Sequence, residues 1–299
     1  YRFADAIQNS ERFILDGGAG TGKSFLLIYD ANRAISEKKR VGVLVPSVEL
    51  ALYLTDKLAG SVSCYTRETL PRTAQFDVLY VDEAQDFVNE DDFSLLDVSL
   101  VGGMSEGCWR LYGDFENQLS PDTVIDADVW KLLLLCTGNN TVYPLTRNVR
   151  NTSEIVKWLE SICGARIGAT SSLGAGSEVE VISGKEFWNL MTGKTHHGIY
   201  GNPSWDEVTV LYPERIKQSR KNEINSSFRN KCHVCSIAEF RGLESNIIFI
   251  CGLDEIASFE HLRDQSYKGV SRARNLCFIE GDDETLNQFL ELMRLSNAN

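Results

Sequence analysis

The stretch GGAGTGKS, residues 17–24, has the residue types and spacing of a loop that binds nucleotide phosphates. It matches the pattern G-x-x-x-x-G-K-[ST], in which backbone N–H groups and the positive end of the next helix face the phosphates. Lys23 is expected to reach the β- and γ-phosphates, and Ser24 to hold Mg²⁺. The residues that we expect to line the nucleotide are Gly17, Gly18, Ala19, Gly20, Thr21, Gly22, Lys23, Ser24 and Phe25.

Two adjacent carboxylates follow an apolar segment in LYVDEAQD. Asp82 is expected to hold Mg²⁺ through water, and Glu83 to orient and deprotonate the attacking water. Adjacent acids are commonly only a surface patch, but here they end a segment with the composition of a buried strand. A small-molecule kinase would not need Glu83, so the pair favours hydrolysis. Gln118, in GDFENQ, is a candidate sensor of the γ-phosphate.

The elements that must position these residues alternate between strands and helices. An apolar strand over Phe13–Leu15 enters the glycine loop, and helical periodicity begins at Phe25. Three further strands are predicted in RVGVLVPS, FDVLYVDEAQDF and CWRLYGDFENQ, and a helix in VELALYLTDKLAG. This alternation predicts an α/β fold with a doubly wound parallel sheet, whose functional residues lie at the carboxyl ends of its strands.

The same alternation restarts in the second half of the chain. Val142–Leu145 has the pattern of a strand, and SEIVKWLESIC that of an amphipathic helix with Ser153 as a candidate cap. Later strands are predicted in SEVEVIS, in DEVTVLYP and on both sides of Gly242, and SYKGVSRARNLCFIEG runs from a helix into a strand. The segment DDETLNQFLELMRL predicts a closing helix. We therefore predict two α/β domains, over residues 1–140 and 141–299.

The composition is that of a globular protein, with 43% hydrophobic and 24% charged residues among 299. No run of apolar residues is long enough to cross a membrane, so no membrane partner is expected. The chain begins without Met and without a signal-peptide pattern, which favours a piece of a longer polypeptide. Eight cysteines are scattered through the chain, as is typical of a reducing cytoplasm. The single pair Cys232 and Cys235 is weak support for zinc, so no zinc site is predicted.

The net charge of −12 argues against strong non-specific binding of nucleic acid, because such binders are usually basic. The stretch from Arg215 to Lys231 is locally basic. Two interpretations stay open for it, a solvated helix face and a surface that contacts phosphates.

Taken in order, these motifs resemble those of superfamily 1 helicases of the UvrD/Rep type over nearly the whole chain. GGAGTGKS, VDEAQD and YGDFENQ resemble motifs I to III, and LTRNVRN, FRGLES and YKGVSRAR resemble motifs IV to VI. VLVPS and CYTRETL stand where motifs Ia and Ib contact single-stranded nucleic acid, and VTVLYPERIKQSR resembles the strand and helix that follow in the second domain.

The resemblance implies two tandem RecA-like domains that bind ATP and Mg²⁺ between them. It implies that Arg150 and Arg272 act as arginine fingers on the γ-phosphate, and that Glu244 contacts the ribose. Cations from a second domain would couple hydrolysis to domain closure. Single-stranded nucleic acid, DNA more than RNA, is the implied partner, together with other domains of the same polypeptide or a partner protein.

The sequence departs from the family where the large insertions 1B and 2B would stand. Too few residues separate the motif Ia stretch from Asp82, and Arg150 from Gly242, to hold them. Val149 replaces the aromatic that stacks on adenine in the family, and GDFENQ has one extra residue before Gln118. Two functions therefore stay open, a translocase or helicase core and an ATP-dependent switch or sensor module of a larger protein.

Overall fold

The structure is a computed structural model that describes residues 10–117, 125–138, 142–168, 174–194 and 203–296. The chain divides into two compact units, with the boundary between Thr146 and Arg147. The loop residues Ala19–Thr21 group with the second unit, although the strand before them and the helix after them belong to the first.

The first unit is built on a sheet in which six parallel strands are described, in the order β3-β2-β4-β5-β1-β6. The strands are β1 (Arg12–Gly17), β2 (Val41–Leu44), β3 (Cys64–Tyr65), β4 (Val78–Asp82), β5 (Cys108–Gly113) and β6 (Val142–Leu145). The helices described in this unit are α1 (Lys23–Ser36), α2 (Val48–Lys57), α3 (Glu90–Ser99), α4 (Gly103–Glu106) and α5 (Ala127–Cys136).

Helices cover both faces of this sheet. Helices α1 and α2 pack on one face through Leu27 and Leu50, and α3 and α5 pack on the other through Leu96 and Leu133. The central strand β4 is buried at all its positions, as strands of a doubly covered parallel sheet are. Strand β5 lies between β4 and β1, so the carboxyl ends of these three strands are neighbours.

The second unit has a sheet in which five parallel strands are described, in the order β7-β11-β10-β8-β9. The strands are β7 (Glu180–Ile182), β8 (Val208–Tyr212), β9 (His233–Ser236), β10 (Ser245–Ile250) and β11 (Ala273–Glu280). The helices are α6 (Ser153–Cys163), α7 (Gly184–Met191), α8 (Gln218–Phe228), α9 (Phe259–Val270) and α10 (Asp283–Ser296). One face packs against α6, α9 and α10, and the other against α7 and α8.

Both units therefore have the predicted doubly wound parallel sheet, and the predicted fold class is confirmed. In the described ranges, no helix is both long and apolar enough to cross a bilayer.

Three details differ from the sequence-based expectations. Strand β6 pairs with β1, Ile14 opposite Val142, so it completes the first sheet and the units divide six residues after the expected position at residue 140. Thr152, not Ser153, is the N-cap residue of α6, and the hydroxyl of Ser153 donates to Glu154. The two-residue strand β3 had no predicted counterpart.

Candidate functional site

The glycine loop joins the carboxyl end of β1 to the first residue of α1. Gly20 and Gly22 have φ angles of 79° and 91°, a left-handed conformation that glycine adopts without a steric penalty. Gly22 immediately precedes Lys23, where α1 begins. The loop therefore brings the positive end of α1 to the carboxyl edge of the first sheet, an arrangement that favours a bound anion.

Lys23 lies under this loop and is buried. Its Nζ donates to the carbonyl oxygens of Gly17 and Gly18, at 2.5 and 3.1 Å. A buried ammonium needs such partners, and the backbone of the loop supplies them. The cation is thus held within the segment that the sequence assigns to the phosphates.

Ser24 and Asp82 come together from two different elements. The Ser24 hydroxyl, in the first turn of α1, donates to Oδ2 of Asp82, at the end of β4, at 2.8 Å. Burial, and next the charge of Glu83, raise the pKa of Asp82 to about 6, against the opposing effects of Ser24 and Lys23. A hydroxyl and a carboxylate are the hard oxygen ligands that Mg²⁺ prefers, so this pair fits the predicted metal role.

Glu83 follows Asp82 in an uncommon backbone conformation. Its φ is 52°, in the left-handed region, and a 3₁₀ turn over Ala84–Phe87 follows it. Its Oε2 accepts a hydrogen bond from Nε2 of Gln85 at 2.7 Å. The other end of the same amide, Oε1 of Gln85, accepts from the backbone N–H of Asp114 at 3.0 Å. Sequence reasoning did not single out Gln85.

The segment that follows β5 is held by side chains from both neighbouring strands. The N–H of Asp114 bonds to Gln85, after β4, and the N–H of Phe115 bonds to Oδ1 of Asp16, in β1, at 2.9 Å. Oδ1 of Asp114 accepts from the backbone and the side chain of Asn117. Gln118 lies outside the described residues, so its role as a γ-phosphate sensor stays a prediction.

In the second unit, the structure brings Arg150 and Glu244 together. Nε of Arg150 lies 2.6 Å from Oε2 of Glu244, and Nη1 of Arg274 lies 3.4 Å from Oε1 of the same carboxylate. The two side chains expected to contact the γ-phosphate and the ribose are thus engaged with each other. Arg272 is buried, and its Nε donates to the carbonyl of Lys268 at 3.2 Å.

Two fully buried amides, Asn148 and Asn151, organise the segments around these arginines. Oδ1 of Asn148 accepts the N–H groups of Arg150 and Asn151. Nδ2 of Asn151 donates to the carbonyls of Ser271 and Ala273, on either side of Arg272. Sequence reasoning missed both; the only signal was that two asparagines flank Arg150 in NVRN.

Ala19 and Gly20, two of the loop residues that group with the second unit, form hydrogen bonds with other residues of that unit. The N–H of Ala19 donates to the hydroxyl of Tyr267 at 3.0 Å, and the carbonyl of Ala19 accepts from Asn148 at 3.0 Å. The backbone N–H of Val149 donates to the carbonyl of Gly20 at 2.7 Å. The Ala19 amide, expected to face a phosphate, is therefore engaged by a side-chain hydroxyl. Phe25, also expected at the nucleotide, is exposed.

The basic stretch around α8 is largely engaged by its own surroundings. Arg220 pairs with Glu223 and Glu280, and Lys217 with Glu255. Two lysines lie over aromatic rings: Lys221 over Tyr212, and Lys231 over Trp188 and Trp205. The ion pairs of Arg220 and Lys217 favour the interpretation of a solvated helix face over a surface that contacts phosphates.

Arg67, in the segment CYTRETL, is also engaged by neighbouring groups of the protein. Its guanidinium binds both carboxylate oxygens of Asp92, at 2.7 and 2.8 Å, and donates to the carbonyl of Asp86. Asp86 lies in the 3₁₀ turn after Glu83. Arg67 therefore holds this turn against the start of α3.

Comparison with known proteins gives similarity of fold alone. No family model and no curated protein matches the chain. The structure of PRRSV helicase is similar with a TM-score of 0.56 and 15% identity, over 96% of this chain and 56% of that one. The structure of arterivirus nonstructural protein 10, a helicase, is similar with a TM-score of 0.51 and 16% identity, over 97% of this chain and 63% of that one.

This chain thus spans less than two thirds of the length of either helicase. The similarity covers both units, and it supports a tandem RecA-like fold of the kind these helicases have. It does not distinguish the UvrD/Rep type from other helicases, so that finer assignment stays a prediction.

Proposed function

We propose that this chain is an ATP-hydrolysing motor core of the superfamily 1 helicase kind, which couples hydrolysis to movement along single-stranded nucleic acid. The observation that carries the proposal is the meeting of Ser24 and Asp82 at 2.8 Å beside the buried Lys23. A glycine loop that bound nothing would not need a hydroxyl, a carboxylate and a buried cation at one point.

The residues present fit ATP and Mg²⁺. Ser24 and Asp82 would hold Mg²⁺, which when bound supplies positive charge to the phosphates. Lys23 would exchange the carbonyls of Gly17 and Gly18 for phosphate oxygens, which are better partners for an ammonium. The fit rests on the chemistry of these donors and on the two left-handed glycines of the loop.

Each side chain has a separate task in hydrolysis. Glu83 would orient a water molecule and take its proton, which is the role of a carboxylate that follows a metal-binding carboxylate. Arg150 and Arg272 would place positive charge where negative charge develops on the γ-phosphoryl oxygens. For this, Arg150 must leave Glu244, and we infer that Glu244 then becomes available to the ribose.

The test is the steady-state rate of ATP hydrolysis measured with single-stranded DNA, with single-stranded RNA and with neither. The proposal expects hydrolysis that single-stranded nucleic acid accelerates, DNA more than RNA, and that Lys23→Ala removes. A wild-type rate no higher than that of Lys23→Ala would refute the ATPase. Hydrolysis that is indifferent to both nucleic acids would refute the motor.

A second candidate is an ATP-dependent switch or sensor module of a larger protein. The ion pairs that engage Arg220 and Lys217 in the basic stretch around α8 favour it, because a motor needs cations for the nucleic-acid backbone. So does the net charge of −12. This candidate expects ATP binding and slow hydrolysis at the same rate with and without nucleic acid. Displacement of a DNA or RNA strand by the purified chain would exclude it.

A further inference from the structure

Gln85 links the carboxylate of Glu83 to the end of the neighbouring strand β5. It lies in the 3₁₀ turn after β4 and only 2% of its surface is exposed. Its Nε2 donates to Oε2 of Glu83 at 2.7 Å, and its Oε1 accepts from the N–H of Asp114, directly after β5, at 3.0 Å. One side chain therefore spans the ends of two adjacent strands.

Only an amide of this length serves both contacts. A carboxylate partner requires a donor and a backbone N–H requires an acceptor, and the glutamine amide offers one of each. Because Gln85 is buried, loss of either partner would leave a polar atom without compensation from water. The two bonds together fix the plane of the amide and the direction of its N–H.

The lack of a side chain at Gly113 leaves space for the Gln85 amide. A Cβ added at Gly113 would lie 2.9 Å from Oε1 of Gln85 and 2.5 Å from the ring of Phe115. Both contacts are too short for a side chain, so the absence of one at residue 113 lets Gln85 reach the N–H of Asp114. The end of β5 therefore contacts Gln85 closely, through Gly113 and the N–H of Asp114.

We propose that Gln85 is a positioning residue that aims the carboxylate of Glu83 at the attacking water. The inference rests on the proposed ATPase function. A general base must be held within hydrogen-bond reach of the proton it removes. The bond from Gln85 to Oε2 fixes the direction of the Glu83 carboxylate. Gln85 is not among the residues expected to line the nucleotide, so we expect it to act on turnover and not on nucleotide binding.

The test is Gln85→Met, which keeps the length of the side chain and removes both polar contacts. We expect kcat for ATP hydrolysis to fall roughly 10- to 100-fold, the cost of a misplaced catalytic group. The dissociation constant of a non-hydrolysable ATP analogue should stay within about threefold, because the groups that bind phosphates are untouched. Gln75→Met is the matched control, since Gln75 is an exposed glutamine of the same unit and should give wild-type values.

Two outcomes would overturn the inference. One is a kcat within twofold of wild type. The other is a loss of kcat matched by an equal loss of analogue affinity and a lower melting temperature, which is the result expected of a purely structural residue. If Gln85→Met does not fold, the variant Gln85→Asn tests the inference in its place. It keeps the amide but is too short to span both partners, and it should show the same selective loss of kcat. Wild type against Lys23→Ala tests the proposed function separately, in the same assay.

Discussion

Arg110 and Asp30 form an ion pair inside the first unit, and breaking it should lower the free energy of unfolding by several kcal/mol. Nε of Arg110, in β5, lies 2.6 Å from Oδ2 of Asp30, in α1, and both side chains are only 6% exposed. The guanidinium also lies over the rings of Phe13 and Tyr80. The perturbation is Arg110→Met, which removes the charge and keeps an apolar stem.

The expected loss in the free energy of unfolding depends on which charge each variant leaves buried without its partner. Removing one partner of a buried ion pair costs about 3–5 kcal/mol, because the other charge stays buried without compensation. Asp30 also binds Arg33 at 2.7 Å, and its Oδ2 makes no aligned hydrogen bond with Arg110. Both facts place Arg110→Met at the lower end, about 3 kcal/mol. The double variant Arg110→Met/Asp30→Leu buries neither charge and should cost less than either single change.

A matched control separates the effect of burial on the ion pair from the effect of the distance between its atoms. Arg40 and Asp77 also lie 2.6 Å apart, but their side chains are 61% and 36% exposed. Arg40→Met should cost much less than Arg110→Met, because water screens exposed pairs. Urea unfolding of the full chain, followed by circular dichroism, measures each difference. If Arg110→Met costs no more than Arg40→Met, the reasoning from burial is wrong; if the double variant costs the sum of the single changes, the two charges are not coupled.

The remaining predictions concern the candidate site and the core. Lys23→Ala should abolish ATP turnover, and Glu83→Gln should abolish turnover but retain ATP binding, as measured by phosphate release and by titration with a fluorescent ATP analogue. Arg272→Ala should lower kcat by roughly 10³, the effect of losing an arginine finger; a wild-type kcat would remove this residue from the site. Gly42→Ala should destabilise the first unit by about 1–3 kcal/mol, because its Cβ would meet the ring of Phe76, and an unchanged urea midpoint would contradict this.

The sequence predicts strands β1 and β4 well because each is a short apolar run that ends at a recognisable motif. Strand β4 ends at Asp82 and β1 at the glycine loop, so pattern and motif agree. Strand β3 has two residues and leaves no periodic signal. Strand β6 was assigned to the wrong half, because an apolar pattern does not say which strand it pairs with. Its partner β1 is far away in the sequence.

The site was predictable only where a motif fixes both the residue type and the spacing. Lys23, Ser24, Asp82 and Glu83 stand in such motifs, although their roles stay predictions. Gln85, Asn148 and Asn151 are neutral amides, and each bonds at least one backbone group of a distant segment. A backbone group has the same chemistry at every residue, so the sequence carries no sign of which one an amide will meet.

Strand β6 also matters for anyone who dissects the protein into its units. It is the edge strand of the first sheet, and it covers β1 from Ile14 to Gly17, the residues that lead into the glycine loop. A fragment cut at residue 140 would turn β1 itself into an edge, with unpaired N–H and C=O groups open to another chain. Self-association of such a fragment would then be a consequence of the missing strand β6 and not a property of the intact protein. A cut after Thr146 keeps β6 paired with β1.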